Sequence, residues 1–152
     1  MDCVGFAYLH GEGVARDQAK AFECFTKAAR CGYVVSMTRL GDLYKSGRGT
    51  DVDIAKAIEW YEKATALGDK GAMYHLGTCL LLDSKFKDVK KGLTILQTFA
   101  AQGMGSAIRS LGQYYNNEQD FASAVKWFKI GASYGDKEFK KELYQAKKLM
   151  QQ

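Results

Sequence analysis

Apolar residues recur along this chain at helical intervals. Ala55, Ile58, Tyr61 and Ala64 follow i, i+3, i+6, i+9, which keeps them on one stripe of an α-helix. Near the end, Phe139, Leu143, Ala146 and Met150 form another stripe, and the five lysines of the same segment fall on other faces. Extended along the sequence, this pattern predicts helices over 1–10, 17–31, 34–46, 53–67, 70–82, 88–102, 105–117, 119–134 and 136–150. The expected class is therefore all-α.

The apolar pattern repeats. At an offset of 36, Gly11 matches Gly47, Gly13 matches Gly49, Asp17 matches Asp53, and Ala19-Lys20-Ala21 matches Ala55-Lys56-Ala57. Lys27-Ala28 and Gly32 match Lys63-Ala64 and Gly68, and upstream Gly5 and Tyr8 match Gly41 and Tyr44. So many identities in one register mark an internal repeat of two helices per unit. Two eroded copies follow. Leu76-Gly77 repeats Leu40-Gly41, Tyr115 stands where Tyr44 stood, and Trp127-Phe128 stands where Trp60-Tyr61 stood. The third copy has Asp83-Ser84-Lys85 in place of Gly-x-Gly and Leu80 in place of the tyrosine, so its turn is the least predictable.

The polar punctuation agrees with helix pairs. Gly-x-Gly supplies positive φ where the chain reverses. Asp17 and Asp53 sit where a helix N-terminus favours a capping carboxylate. Lys27 and Lys63 lie near helix C-termini, and Gly32, Gly68, Gly103 and Gly135 fit the residue just beyond. Small Gly41 and Ala57 let axes approach while Tyr44 and Tyr61 fill the space beside them.

Composition changes this picture little. The 152 residues are 47% hydrophobic, with 16 glycines and no proline, as suits an all-helical chain punctuated by glycine. No run of about 18 apolar residues predicts a membrane span. The net charge of +5 lies in residues 1–50 and 101–152, with 51–100 neutral. That excess is too dilute for a basic stripe, so no specific nucleic-acid binding is expected. The lysines at 85, 87, 90 and 91, and at 137, 140, 141, 147 and 148, read as solvated helix faces, with an acidic partner as the alternative.

The segment LGDLYKSGRGTDVDIAKAIEWYEKATALG, Leu40 to Gly68, resembles the Sel1-like repeat, a longer relative of the tetratricopeptide repeat. Its signature is Leu-Gly-x-x-Tyr, Gly-x-Gly and Lys-Ala-x-x-Trp-Tyr-x-Lys-Ala. The resemblance extends over residues 1–135, in copies of about 1–32, 33–68, 69–103 and 104–135. It implies a right-handed α-solenoid whose concave face is lined by the first helix of each pair. It also implies adaptor or scaffold work, binding a peptide or partner domain. The alternative is a regulatory or structural segment packing against other domains of a larger protein. Residues 136–152 supply a polar helix of the kind a terminal repeat needs as cover. Met1 falls inside the first helix by the register of the second copy, which leaves room for preceding repeats or a targeting signal. The oligomeric state stays open.

The repeat register selects first-helix positions that the shared core does not require. These are Phe6 and Leu9; Thr38, Asp42 and Lys45; Tyr74, Thr78 and Leu81; and Arg109, Gln113 and Asn116. They are expected to line the concave face, mixing aromatic, arginine and hydrogen-bonding groups as interfaces do. Trp60 and Trp127 recur at one register position and are expected to pack between repeats. Cys3, Cys24, Cys31 and Cys79 are irregularly spaced. They are read as small apolar filler, unlike the regular disulfides of some secreted members of the family. They favour a reducing, cytoplasmic compartment, or for a bacterial source a host-directed effector. His10 and His75 belong to no triad, the Gly-x-Gly turns follow helices rather than strands, and no metal-ligand spacing appears. Neither enzymatic activity nor a cofactor or metal is expected.

Overall fold

The computed structural model describes residues 2–83, 85 and 88–151, and side chains from residue 4 onward. Lys87, Ser84 and the Cys3 side chain lie outside the described residues. Among the described residues all regular structure is helical: α1 (Asp2–His10), α2 (Gln18–Arg30), α3 (Val34–Ser46), α4 (Ile54–Ala66), α5 (Lys70–Leu82), α6 (Val89–Ala101), α7 (Gly105–Asn117), α8 (Phe121–Ser133) and α9 (Lys137–Met150). The chain divides into two compact units, Met1–Leu76 and Gly77–Gln152, with the division inside α5.

Each second helix begins on an aspartate. Asp17, Asp53, Asp88 and Asp120 accept the backbone N–H three residues on, each at 3.0 Å. The N–H of Lys56 holds the Asp53 carboxyl below its ordinary pKa. The same aspartates close the preceding turn. The N–H of each donates at 2.9 Å to a carbonyl at the end of the first helix: Tyr8, Tyr44, Leu80 and Tyr115 respectively. The third turn thus closes like the others without its Gly-x-Gly. Cap geometry also explains why α8 starts at Phe121 and not at 119. Gln119 has φ 61 and Asp120 is the N-cap, so neither can be helical.

The second helices end in a shared reversal. Gly32 has φ 88; its N–H donates to Ala29, and Tyr33 N–H donates to Ala28. That pair of bonds is a Schellman motif, which a left-handed glycine completes without steric cost. Gly68 and Gly103 repeat both bonds with their followers Asp69 and Met104. Gly49 is constrained twice. Its φ is 74, and a Cβ there would collide with the backbone carbonyl of Gln18, where α2 begins.

In the first unit α1 packs on α2, α2 on α3 and α3 on α4. In the second, α6 packs on α7, α7 on α8 and α8 on α9. Between paired helices a ring or branched side chain is seated closely on a glycine of the neighbouring helix. A Cβ at Gly5 would lie 3.0 Å from the Phe25 ring, one at Gly41 2.5 Å from Tyr61, and one at Gly77 2.7 Å from Ile95. Gly112 receives Phe128, and Gly131 on α8 receives Phe139 of α9. Phe25 and Tyr61 are fully buried. The buried stripe of α4 is Ala57, Tyr61 and Ala64; Ala55 is exposed and Ile58 only half-buried. The expected i, i+3, i+6, i+9 stripe drifts around a helix of 3.6 residues per turn, whereas i, i+4, i+7 stays on the packed side. On α9, Phe139 and Ala146 are buried, Leu143 is half-buried and Met150 is exposed.

Gly41→Ala should therefore lower unfolding free energy by about 1–3 kcal/mol in urea melts, since the added methyl must displace a buried ring. Gly105→Ala is the control. Its Cβ would meet nothing closer than 3.8 Å, so it should be neutral or slightly stabilising.

Candidate protein-interaction surface

The first unit carries a cleft of about 280 Å³ between α1 and α3. Phe6, Leu9, Phe25 and Leu43 supply its apolar lining. His10, Arg39, Asp42, Ser46 and Arg48 surround it with polar groups. The walls are held by aromatic contacts. Phe6 meets Phe25 edge-on with centroids 5.4 Å apart and stacks with His10 at 6.0 Å. The Arg39 guanidinium lies over the Phe6 ring, 5.2 Å from its centroid.

Asp42 is a junction rather than a free rim carboxylate. Its Oδ1 accepts the Tyr61 hydroxyl at 2.9 Å and lies 3.7 Å from His75 Nε2. Its Oδ2 lies 3.4 Å from Arg39 Nη1. Tyr61 reaches Asp42 because its ring is seated on Gly41, one residue before. His75 stacks on that ring at 5.4 Å and meets Tyr74 edge-on at 5.3 Å. Burial pushes the His75 pKa below its ordinary 6.5; Asp42 and Asp69 pull it up, and Lys45 and Arg39 push it down.

The second unit has a smaller cleft of about 180 Å³ between α7 and α9, lined by Gln113 and Asn116 with Phe128, Glu142, Gln145 and Leu149. The Asn116 Oδ1 is buried and takes no hydrogen bond among the described residues. Arg109 is engaged internally. It donates from Nε to Glu142 at 3.1 Å, pairs with Asp136 at 3.3 Å, and lies 4.4 Å from the centroid of the Phe139 ring. It ties α7 to α9.

Of the residues chosen by register, Phe6, Leu9 and Asp42 share the first cleft, and Gln113 and Asn116 share the second. Thr38 is half-buried and donates to the Val34 carbonyl at 3.4 Å, Lys45 is exposed, and Tyr74 is half-buried. Thr78 and Leu81 are buried, so neither side chain is presented on an open face. Both lie on α5, whose residues from Leu76 to Leu81 are all buried. Sequence reasoning missed Arg39, His10, Ser46 and Arg48. Arg39 and His75 occupy equivalent positions 36 apart, one step after Thr38 and Tyr74. A charged or titratable residue recurring there was the available signal. Trp60 and Trp127 are half-buried, and Lys63 Nζ lies 4.3 Å from the Trp60 ring. Cys79 is buried, but Cys24 is half-buried and Cys31 exposed, so apolar filler describes one thiol of the three. Cys31 occupies the C-cap of α2, where the chain turns outward.

The profile of the Sel1 repeat matches residues 4–33, 34–69, 71–104 and 106–136. The chain belongs to the Sel1 repeat family. A Sel1 repeat protein from Oxalobacter formigenes, 29% identical, superposes over 95% of this chain and 61% of its own with a TM-score of 0.74. A protective antigen of uropathogenic Escherichia coli strains, with an SLR fold, is 24% identical and has a TM-score of 0.75 over 93% of this chain and 32% of its own. This Sel1 chain thus spans less than two thirds of either solved relative. No curated protein matched it significantly. Its helix pairs have the Sel1 solenoid fold, a non-catalytic scaffold, and Sel1 repeat proteins generally mediate protein–protein interactions. Among the described residues no helix is long and apolar enough to cross a membrane.

Because the folded-state pKa of His75 is lowered, the unfolded chain takes up its proton first on acidification. Its stabilising contribution is complete above about pH 6.5 and is lost as pH falls towards the lowered value. Urea midpoints at about pH 7.5 and about pH 5.5 should therefore diverge less in His75→Gln than in the parent chain.

Proposed function

We propose that the chain is a protein-interaction module that binds a peptide or partner domain, with the α1–α3 cleft as its anchor site in the first unit. The observation that carries this reading is the cleft's composition. It has an apolar floor and a polar rim, both contributed mainly by first helices, which suits an anchor side chain surrounded by hydrogen bonds. At about 280 Å³ it sits at the lower edge of small-molecule sites, which run from about 300 to 1,000 Å³, so it fits a side chain better than a whole ligand. Lys45, Thr38 and Tyr74 of the same unit would flank the partner; Gln113 and Asn116 line a separate cleft in the second unit. Arg109, Thr78 and Leu81 are left out because their side chains are already committed to packing or ion pairs.

Leu9→Glu puts an unpaired charge on the cleft floor. It should weaken a directly binding partner by at least about tenfold, as hot-spot truncations do. Tyr144→Glu, at a position 71% exposed on α9, should leave that affinity within about twofold. Isothermal titration calorimetry with the partner decides. Loss at Tyr144 with retention at Leu9 would place the interface elsewhere.

A further inference from the structure

We propose that the α1–α3 cleft selects an acidic, extended peptide, one that sets a carboxylate beside an aliphatic or aromatic side chain. This rests on the reading of the cleft as the anchor site and adds the chemistry of its partner.

The charges around the cleft are unbalanced. Two arginines, Arg39 and Arg48, line it against one carboxylate, Asp42. That carboxylate is occupied by Tyr61, Arg39 and His75. Arg39 spends one contact on it, at 3.4 Å, and its side chain is still 46% exposed. A guanidinium has five N–H donors, so most of its donor capacity remains. The Arg39 guanidinium carbon lies over the Phe6 ring at the cleft wall. Arg48 has no ion-pair partner among the described residues. Its backbone N–H donates to Leu43 at 3.1 Å just after left-handed Gly47, which fixes where its side chain leaves the main chain.

A carboxylate entering here would meet the Arg39 guanidinium at the wall and the Arg48 side chain at the rim, and form charge-assisted hydrogen bonds. A neutral peptide would cover the arginines without replacing their water, and a basic one would be repelled. The floor of Phe6, Leu9, Phe25 and Leu43 receives the neighbouring apolar side chain. An extended strand presents alternate residues to opposite sides, so residues i and i+2 would fill floor and rim on one side. A nucleic acid would also present anions, but the floor offers its backbone nothing and the chain's excess charge is small.

Four fluorescein-labelled probes of about twelve units test this by fluorescence polarisation on the intact chain: peptides repeating Glu-Glu-Leu-Leu, Gln-Gln-Leu-Leu and Lys-Lys-Leu-Leu, which set the polar and apolar residues at i and i+2 (the Glu-Leu, Gln-Leu and Lys-Leu probes), and an oligothymidine. Amide NMR shifts locate binding. We expect Glu-Leu to bind at least about tenfold more tightly than Gln-Leu, to weaken with added salt, and to shift Leu9 and Ser46. Arg48→Gln and Arg39→Gln should reduce Glu-Leu affinity to the Gln-Leu level, with Arg48→Gln leaving the melting temperature unchanged. Equal binding of Gln-Leu and Glu-Leu in the cleft would overturn the acidic selectivity while sparing the interaction reading. Tighter binding of Lys-Leu or oligothymidine, or an unchanged affinity in Arg48→Gln, would overturn it as well. If no peptide shifts the cleft amides, both readings fall.

Discussion

Close contact between a first-helix glycine and a bulky second-helix side chain sets the distance within each helix pair. Gly5 takes Phe25, Gly41 takes Tyr61, Gly77 takes Ile95 and Gly112 takes Phe128. Without a Cβ the first helix lets the ring approach its backbone directly, and close packing then fixes the pair. Caps and turns position the ends of the helices, but this seat decides how they lie against each other. It also reaches the surface. Tyr61 alone among the four seated side chains carries a hydroxyl, and that hydroxyl emerges at Asp42 and orders the polar cluster there.

One scaffold thus displays different chemistry in different copies. The first unit combines aromatic walls with Arg39 and Arg48. The second uses the equivalent region of α7 to hold α9, through Arg109 and its carboxylates. The register position that faces a potential partner in one place is spent on internal cohesion in another. An ion pair there is partly exposed, so its contribution is modest, and the ring beneath it supplies much of the contact area.

The fold was largely legible because its determinants are local. Aspartate caps and closing glycines act within a few residues, small–large pairs act within one repeat, and all recur from copy to copy. Repeat three kept its Asp88 cap although its Gly-x-Gly was gone, so its turn closed as in the other copies. The surface was less legible because exposure depends on what packs from outside the repeat. Thr78 and Leu81 share a register with Asp42 and Lys45, yet they are buried within α5. Arg109 shares one with Thr38 and Tyr74, yet α9 supplies its partners. Phe6, Leu9 and Asp42 line one cleft. Arg39 was missed because its only sequence signal, a charged or titratable residue recurring 36 residues on at His75, does not show that the Phe6 ring lies beside it.

The turn hydrogen bond from each capping aspartate to the end of the preceding helix spans chain segments of different length, from Tyr8 to Asp17 in one copy and from Tyr115 to Asp120 in another. The donor and acceptor meet at 2.9 Å in every case. The length of what lies between them differs while the helices on either side keep the same closure, although single positions such as Gly49 are fixed by their packing. Insertions and deletions can therefore accumulate in these segments, and foreign sequences can be grafted into them, without loss of register. Divergence in this chain is channelled into loops that can change length, next to faces that cannot.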